Sequence, residues 1–342
     1  MRLSHIISFV IIALFCGIMP VEAQKKPLKF HGNPDYYLEC QSEAVFKVAD
    51  EGLNAYPPVV GAPIERRLAL YNLDCLLHDT RNDNSPAFCN FVNSRITKLL
   101  ADLEKPLKRG MRIYKVYNEF FIVRTKSANI AFDFSRCRCR GHKTPIISTE
   151  LATKLAAKCD ALFLTHNHGD HVDAYVANLF VEAGKPVVAA PNIFVDMEGV
   201  THRRKESGVD NFEVTLKSGK QLKVAVIPAI HGKLINNIYV ITTPEKYVVC
   251  HTGDMSGKSN FKWLPTIRDS IPSIDALLIN CWTGAIGKAI PSFDPRYVIT
   301  GHENEMGHTI DHREAYWLSF TKLSNIKYDY VVMAWGEWFD VK

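Results

Sequence analysis

A cluster of potential metal ligands lies in the stretch FLTHNHGDHVD, directly after an apolar segment. Residues two positions apart in an extended loop point the same way, so His166 and His168 can reach one ion together. A glycine then permits a turn, after which Asp170 and His171 can reach a neighbouring ion. Imidazoles and carboxylates in this mixture suit zinc, and also manganese or iron. Alone, however, the cluster supplies too few ligands for two ions.

Three downstream apolar segments each end in another residue of a metal-binding type. VAVIPAIHG contains His231, YVVCHTGD ends at Asp254, and RYVITGHE contains His302. Any one of these residues alone is more often a hydrogen-bonded loop residue. Because ligands collect at the carboxyl ends of the strands of an α/β sheet, the three residues are expected to converge with the first cluster. Together they predict a site for two divalent metal ions, with zinc as the favoured ion.

The elements that position these residues alternate between strands and helices. MRIYKVYNEFFIVRT and NIAFDF predict strands joined by a tight turn, and a helix is expected from about Ser148 to Lys158. ALFL precedes the ligand cluster, and AYVANLFVEAG after it predicts another helix. Further apolar segments and a late helix around HREAYWLSFTKL continue the alternation. This pattern predicts an α/β architecture with sheets inside and helices outside.

The sequence predicts that residues 24–110 form an N-terminal extension that is largely helical. The part before about Pro63 contains several prolines and is expected to be irregular. Two helices follow, and each carries an apolar stripe that should face the core. The first stripe is Ile64, Leu68, Tyr71 and Cys75, and the second, after Ser85-Pro86, is Val92, Ile96, Leu99 and Leu103. Covering the mouth of the site is the alternative role for these helices.

Residues 1–23 have the layout of a cleavable secretory signal, with Arg2, an apolar run and a small-residue end at Ala23. The chain is therefore expected to be exported, to the periplasm or beyond the cell, and to have no transmembrane segment once processed. The full chain has 342 residues, 47% of them hydrophobic, which is typical of a globular protein. Its net charge of +5 is a mild excess that does not indicate a nucleic-acid partner.

All but one of the nine cysteines follow this signal. Cys159, Cys250 and Cys281 lie in or beside apolar segments and are expected to be buried free thiols. The pair Cys137 and Cys139 in RCRCRG is a weak zinc signal. The favoured alternative is that both are loop cysteines, for which pairing with distant partners is left open.

HxHxDH, followed by His, Asp and His at strand ends, resembles the metallo-β-lactamase superfamily over roughly Met111 to Lys342. The resemblance implies a four-layer αβ/βα sandwich with a dinuclear site at one edge. Residue by residue, it implies a first metal held by His166, His168 and His231, a second held by Asp170, His171 and His302, and Asp254 as the bridge.

HTGD supplies a bridging aspartate that the true β-lactamases of this fold lack. YNEFFIVRTKSANIAFDF, DALFLTHNHGDHVD and TGDMSG are more similar to the branch containing ascorbate-6-phosphate lactonase and N-acylphosphatidylethanolamine phospholipase D. The resemblance stops short of naming a substrate within that branch.

Two adjacent divalent ions indicate a hydrolase in which a shared water becomes hydroxide and attacks an ester, lactone or phosphodiester bond. Asp170 and Asp254 are expected to balance the charge of the ions and orient this nucleophile. A β-lactamase-type amide hydrolase and a non-hydrolytic metal-binding or redox protein on the same fold are the alternatives.

The loop SRCRCRGHK, which contains Arg138, favours an anionic small molecule or lipid as substrate, because arginine recognises phosphate and carboxylate. A merely solvated basic loop is the alternative. After His302, the long polar tail offers further residues for substrate contact or ligand support, or for helix capping. They are Glu303, Glu305, His308 and His312. Trp282 is expected either to line the pocket or to pack, and the sequence leaves the oligomeric state open.

Overall fold

The structure is a computed structural model that describes residues 30–79, 83–283 and 286–342. The predicted signal at 1–23 lies outside the described residues. Among the helices of the described part, none is long and apolar enough to cross a membrane.

Within the described residues, the strands form two sheets of seven strands each. The first sheet contains β1 (Met111–Tyr117), β2 (Phe120–Arg124), β3 (Asn129–Phe132), β4 (Ala161–Leu164), β5 (Val187–Ala189), β6 (Val200–His202) and β14 (Glu337–Val341). The second contains β7 (Asp210–Thr215), β8 (Gln221–His231), β9 (Leu234–Thr242), β10 (Val248–His251), β11 (Ala276–Asn280), β12 (Tyr297–Gly301) and β13 (Asp329–Val331). Their orders are β14-β1-β2-β3-β4-β5-β6 and β13-β12-β11-β10-β9-β8-β7.

Strand direction brings the predicted ligands to one edge of each sheet. In the first sheet, β3, β4 and β5 are parallel. In the second, β9 is antiparallel to both β8 and β10, so β8 runs in the same direction as β10. β11 and β12 continue parallel to β10. The strands that precede the predicted ligands therefore end on the same side of their sheets.

A buried apolar layer holds the two sheets together. Phe121, Phe132 and Phe163 of the first sheet share one apolar cluster with Tyr239 and Leu278 of the second. Side chains alternate between the two faces of a strand, so one set points into this layer while the other faces the helices. Burying each large apolar side chain contributes roughly 1.5–3 kcal/mol.

Helices cover the outer faces of both sheets, where a second and larger apolar cluster is buried. They are α1 (Pro34–Ala55), α2 (Ile64–Leu77), α3 (Pro86–Leu103), α4 (Thr149–Lys158), α5 (Ala174–Glu182), α6 (Asn260–Trp263), α7 (Ile286–Phe293) and α8 (Tyr316–Leu323). The predicted start of α4 is confirmed, because Ser148 Oγ accepts a hydrogen bond from Leu151 N at 3.3 Å.

Two expectations about local structure are wrong. The stretch before Pro63, expected to be irregular, contains the 22-residue helix α1. Pro34 is its first residue, where the missing N–H costs nothing, and Asn33 caps it by accepting from Tyr36 N at 3.2 Å. The long strand expected from MRIYKVYNEFFIVRT is divided into β1 and β2, because Asn118 adopts a left-handed turn conformation with φ of +53°.

The apolar stripe predicted for α2 is also wrong, whereas that of α3 is confirmed, since all four of its residues are buried. Ile64 and Leu68 of α2 are 60% and 55% exposed. The buried face of α2 instead combines apolar residues with the charged Arg66 and Asp74. The spacing of apolar residues does not reveal such a face. Charged residues are buried only where the fold supplies partners, and those partners lie elsewhere in the chain.

The partners of Arg66 come from the other end of the chain. Its Nη2 donates to Glu337 Oε2 at 2.5 Å and to the carbonyl of Val332 at 2.8 Å. Arg95 of α3 reaches the other oxygen of Glu337 at 3.3 Å. Glu337 thus joins two N-terminal helices to β14, an edge strand of the first sheet.

Arg66→Ala should lower the free energy of unfolding by about 3–5 kcal/mol, because Glu337 would remain buried with part of its charge uncompensated. Lys154→Ala is the control, since Lys154 pairs with Glu150 on the surface at 2.6 Å and its loss should change stability little. Urea unfolding of both variants measures the difference. Equal stability of the two variants would contradict the assigned role of Glu337.

Candidate metal centre

The seven predicted ligands lie together at the edge where the strands of both sheets end. His166, His168, Asp170 and His171 follow β4, and His231 is the last residue of β8. Asp254 follows β10, and His302 follows β12. The first sheet therefore provides four of these side chains and the second provides three.

The ligand atoms form two adjacent groups that share Asp254. In one group, atoms of His166, His168, His231 and Asp254 all lie within 4.8 Å of one another. In the other, His171 and His302 lie equally close to Asp254. Asp170 completes this second group, with its Oδ2 at 3.3 Å from the Nε2 atoms of both His171 and His302.

The spacing of these atoms fits metal ions. Asp254 Oδ2 lies 3.6 Å from His166 Nε2, 3.3 Å from His171 Nε2 and 3.4 Å from His302 Nε2. Two ligands of a tetrahedral zinc ion with bonds of about 2.0–2.1 Å are separated by about 3.3 Å. The Nε2 atoms of His171 and His302 are buried and make no hydrogen bond. Unpaired nitrogens directed at carboxylates in this way fit a metal centre.

Charges in the site fall into two classes. Burial lowers the pKa of His166 to about 3, so this imidazole is neutral, as a metal ligand must be. Burial opposes protonation of His171 as well, but the carboxylates of Asp254, Asp170 and Asp133 together raise its pKa well above the ordinary value. A metal ion that binds here therefore displaces a proton from the second group.

Asp133, which follows β3, orients the ligand cluster. Its Oδ2 accepts hydrogen bonds from His171 Nδ1 at 2.8 Å and from Thr165 Oγ1 at 2.7 Å. Thr165 Oγ1 in turn lies 3.1 Å from His166 Nδ1. These contacts fix the ring orientation of two predicted ligands and direct the Nε2 atom of each towards the carboxylate of Asp254.

Asp254 is held by two asparagines and by a glycine that precedes it. Asn280 Nδ2 donates a hydrogen bond to Asp254 Oδ1. The backbone N–H of Asp254 donates to Asn236 Oδ1 at 3.1 Å. Gly253 has φ of +52°, and a Cβ there would lie 2.6 Å from Thr165 Oγ1 and 2.7 Å from Asn236 Oδ1. Only glycine fits this position without moving the groups that hold the ligands.

Gly253→Ala should therefore displace Asp254 and lower the zinc content, at a cost of roughly 2–4 kcal/mol in unfolding free energy. Gly219→Ala is the matched control, because Gly219 also has a positive φ, +79°, but nothing lies within 4 Å of its added Cβ. Its cost should be about 1–2 kcal/mol with normal zinc binding. Equal zinc content in the two variants, measured by elemental analysis, would contradict the steric argument.

Several supporting residues were missed in the sequence. Asp133 and Asn280 stand at or next to the carboxyl ends of β3 and β11, which lie beside ligand-bearing strands. Both come where an apolar segment ends, as His231 and His302 do, so the same pattern indicates them. Asn118, whose Nδ2 donates to Asp170 Oδ2 at 3.0 Å, gave no such signal because it lies in the unrecognised β1–β2 turn.

The arginine loop lies beside the second ligand group. Arg138 and Arg140 are exposed and line a pocket of about 290 Å³ that also contains Asp170, Glu305 and His308. Arg140 N donates to the carbonyl of Met306 at 2.9 Å, which joins this loop to the segment after His302. The neighbouring Arg136 is instead paired with Asp173 at 2.7 Å.

The candidates of the polar tail separate into different roles. Glu303 is buried against Lys115 and Ser319 and supports the fold. His308 stacks on His302 with ring centroids 5.2 Å apart, and its side chain lies within 4.8 Å of ligand atoms of Asp170 and His302. Trp282 borders the same group, with its ring centroid 6.0 Å from that of His308. His312 is mostly exposed beside Trp282.

Cysteines take no part in the metal groups found among the described residues. Cys137 and Cys139 are buried free thiols in a loop, as the favoured alternative expected, but neither is paired with a distant partner and neither joins a metal group. The expectation of buried free thiols at Cys159, Cys250 and Cys281 is confirmed.

Glu305 is a buried carboxyl group beside these ligands. Its Oε1 accepts from Gly307 N at 2.8 Å, while its Oε2 has no hydrogen-bond partner. Burial, reinforced by the charge of Asp170, raises the pKa of Glu305 from 4.5 to about 8. The folded, metal-free chain therefore retains a proton that the unfolded chain releases between these two pH values.

Because Glu305 binds its proton more tightly in the folded state, its contribution to the stability of metal-free wild type should fall as pH rises from about 4.5 to 8. Glu305→Gln mimics the protonated form, so it should gain up to roughly 4 kcal/mol relative to wild type over this interval. Urea unfolding at pH 5, 7 and 9 after chelator treatment measures this gain. Glu150→Gln, at an exposed site, is the control, and an equal pH response in both variants would contradict burial of the Glu305 charge.

No protein-family model matches the chain, and neither does any curated protein. Several solved structures do. Igni18, a metallo hydrolase from the archaeon Ignicoccus hospitalis, is 18% identical with a TM-score of 0.50, over 68% of this chain and 98% of that one. A zinc-dependent hydrolase of the metallo-β-lactamase superfamily from Thermotoga maritima is 15% identical with a TM-score of 0.30, over 56% and 76%. CmlA, a diiron β-hydroxylase from Streptomyces venezuelae, is 13% identical with a TM-score of 0.46, over 70% and 55%.

Likeness at these identities concerns the fold. Two sheets packed face to face, with helices on both outer surfaces, form the four-layer αβ/βα sandwich, so the predicted architecture is confirmed. Igni18 shares this architecture at a TM-score of 0.50.

Proposed function

Because this chain has the metallo-β-lactamase fold, we propose that it is an exported dinuclear metal-dependent hydrolase. Its substrate is an anionic small molecule or lipid with an ester, lactone or phosphodiester bond. The observation that carries the proposal is the pair of adjacent ligand groups that share the carboxylate of Asp254. The mixture of imidazoles and carboxylates favours zinc as the resident ion.

Two divalent ions at such a site lower the pKa of a water between them and neutralise charge that develops on the substrate. His166, His168 and His231 would hold one ion, and Asp170, His171 and His302 the other. Asp254 lies between the two ligand groups and would balance the positive charge of ions bound there. With Asp170, it would also offer carboxylate oxygens that orient a water molecule toward the substrate.

Residues outside the two ligand groups form the pocket in which we place the substrate. Arg138 and Arg140 line the pocket and suit phosphate or carboxylate. His308 lines the same pocket and has a buried Nδ1 without a hydrogen-bond partner. Burial lowers the pKa of His308, so it is a neutral group able to exchange a hydrogen bond with the substrate. The pocket volume of about 290 Å³ suits a small molecule or a lipid head group.

Hydrolysis should depend on the second ligand group. Asp170→Ala and His302→Ala should each lower zinc content and reduce the rate by several orders of magnitude, because charge compensation and water orientation are lost. Asp311→Ala is the control, since this carboxylate is 81% exposed in the segment after His302. Rates are measured on zinc- and manganese-loaded protein with lactones, phosphodiesters, phospholipids and β-lactams.

Other outcomes of this screen identify the alternative functions. Full activity of both variants on the best substrate would show that the site lies elsewhere. Hydrolysis confined to β-lactams would indicate a β-lactamase-type amide hydrolase. Redox-active iron without hydrolysis of any substrate would indicate a redox protein on the same fold. Detection of a processed chain that begins near Gln24 outside the cytoplasm tests the proposed export.

A further inference from the structure

The segment between β12 and α8 carries His302, Glu305 and His308 in an unusual backbone conformation. His302 and Asn304 both lie in the left-handed region, with φ of +71° and +56°. L-residues other than glycine adopt this region at a cost in free energy, and they remain there only where the surroundings impose it. Something outside the segment must therefore hold its shape.

Asp74 of α2 contacts both ends of this segment. It is 4% exposed, and its Oδ1 accepts from Asn304 Nδ2 at 2.9 Å and from Tyr316 N at 2.8 Å. Its Oδ2 accepts from Trp317 N at 3.1 Å. Tyr316 and Trp317 begin α8, whose own N-cap residue, Ala315, has no side chain that can cap. One carboxylate from the N-terminal extension therefore caps α8 and restrains the strained Asn304.

Arg313 ties the middle of the segment to the same helix. Its Nη1 donates to the carbonyl of Leu77, the last residue of α2, at 2.7 Å. Its Nε donates to the carbonyl of His308 at 3.1 Å, and its Nη2 donates to Asp83 at 2.9 Å. His78 Nε2 lies 2.9 Å from the carbonyl of Arg313. The backbone of His308 is thereby held through a single guanidinium to the end of α2.

We infer that Asp74 and Arg313 are positioning residues, through which α2 sets the segment 302–316 in the shape that places His302 and His308 beside Asp170. The N-terminal extension would thus shape the site through its contacts with this segment, although it supplies none of the predicted ligands. Neither residue belongs to a ligand group or lines the pocket. The inference rests on the proposed metal site, but its main measurements do not require hydrolysis.

Asp74→Ala should loosen the segment and weaken the second ion selectively. Hydrogen–deuterium exchange of amides in 304–308 should become at least about tenfold faster. Zinc chloride titrated into metal-depleted protein should bind the second site about 10–100-fold more weakly, because loss of supporting contacts weakens metal affinity by that factor. Affinity for the first ion should stay close to wild type, since Asp74 does not contact its ligands.

Asp50→Ala is the matched control. Asp50 also joins N-terminal helices, through Arg95 at 2.5 Å and Lys98 at 2.6 Å, but makes no contact with the segment. Its loss should leave exchange in 304–308 and both zinc affinities close to wild type. Asp74→Asn, which keeps acceptor capacity through one oxygen, should recover part of both properties and serves if Asp74→Ala does not fold.

The inference is overturned if the Asp74 variants bind two zinc ions and exchange these amides like the Asp50 variant. It is also overturned if both zinc affinities fall together, which indicates general destabilisation. A wild-type chain that binds two zinc ions but hydrolyses no substrate would refute the proposed function alone. The exchange and titration results would still decide the role of Asp74.

Discussion

The carboxylate of Asp254 lies between imidazole nitrogens that follow strands of both sheets, and the remaining geometry of the site depends on this contact. His171 Nε2 from the first sheet is 3.3 Å from it, and His302 Nε2 from the second is 3.4 Å away. A buried carboxylate is tolerable only where positive charge or hydrogen-bond donors surround it. The two sheets must therefore keep one relative position, with protons or metal ions compensating the charge between them.

That constraint explains the polar layer beneath the ligands. Asp133 holds His171 from one side, while Asn236 and Asn280 hold Asp254 from the other. In an interior of low dielectric, each of these hydrogen bonds is strong and each unmade one is costly. Gly253 lets the segment after β4 approach β9, because a Cβ at this position would meet both Thr165 and Asn236. These hydrogen bonds fix the orientation of His171 and Asp254.

The N-terminal helices also bury charged residues that have partners in the sandwich. Arg66 and Asp74 lie about two turns apart on the buried face of α2. Arg66 is paired with Glu337 of the first sheet, whereas Asp74 accepts hydrogen bonds from the segment after His302. One helix therefore connects the edge strand of one sheet to a ligand-bearing segment of the other. This connection requires the burial of charged groups on α2, which carries a desolvation penalty in free energy.

The seven predicted ligands and the α/β architecture could be predicted from the sequence alone, because ligand types recur where apolar segments end and the alternation of strand and helix patterns is local. The α2 stripe, the β1–β2 turn and the roles of Asp133, Asn280 and Asp74 do not, because each depends on partners distant in the chain. Arg66 reaches Glu337 across 271 positions, and Asp74 reaches Asn304 across 230. Local periodicity cannot show that a buried charge will find a partner. Only the tertiary structure supplies the partner and, with it, the position of the segment after His302.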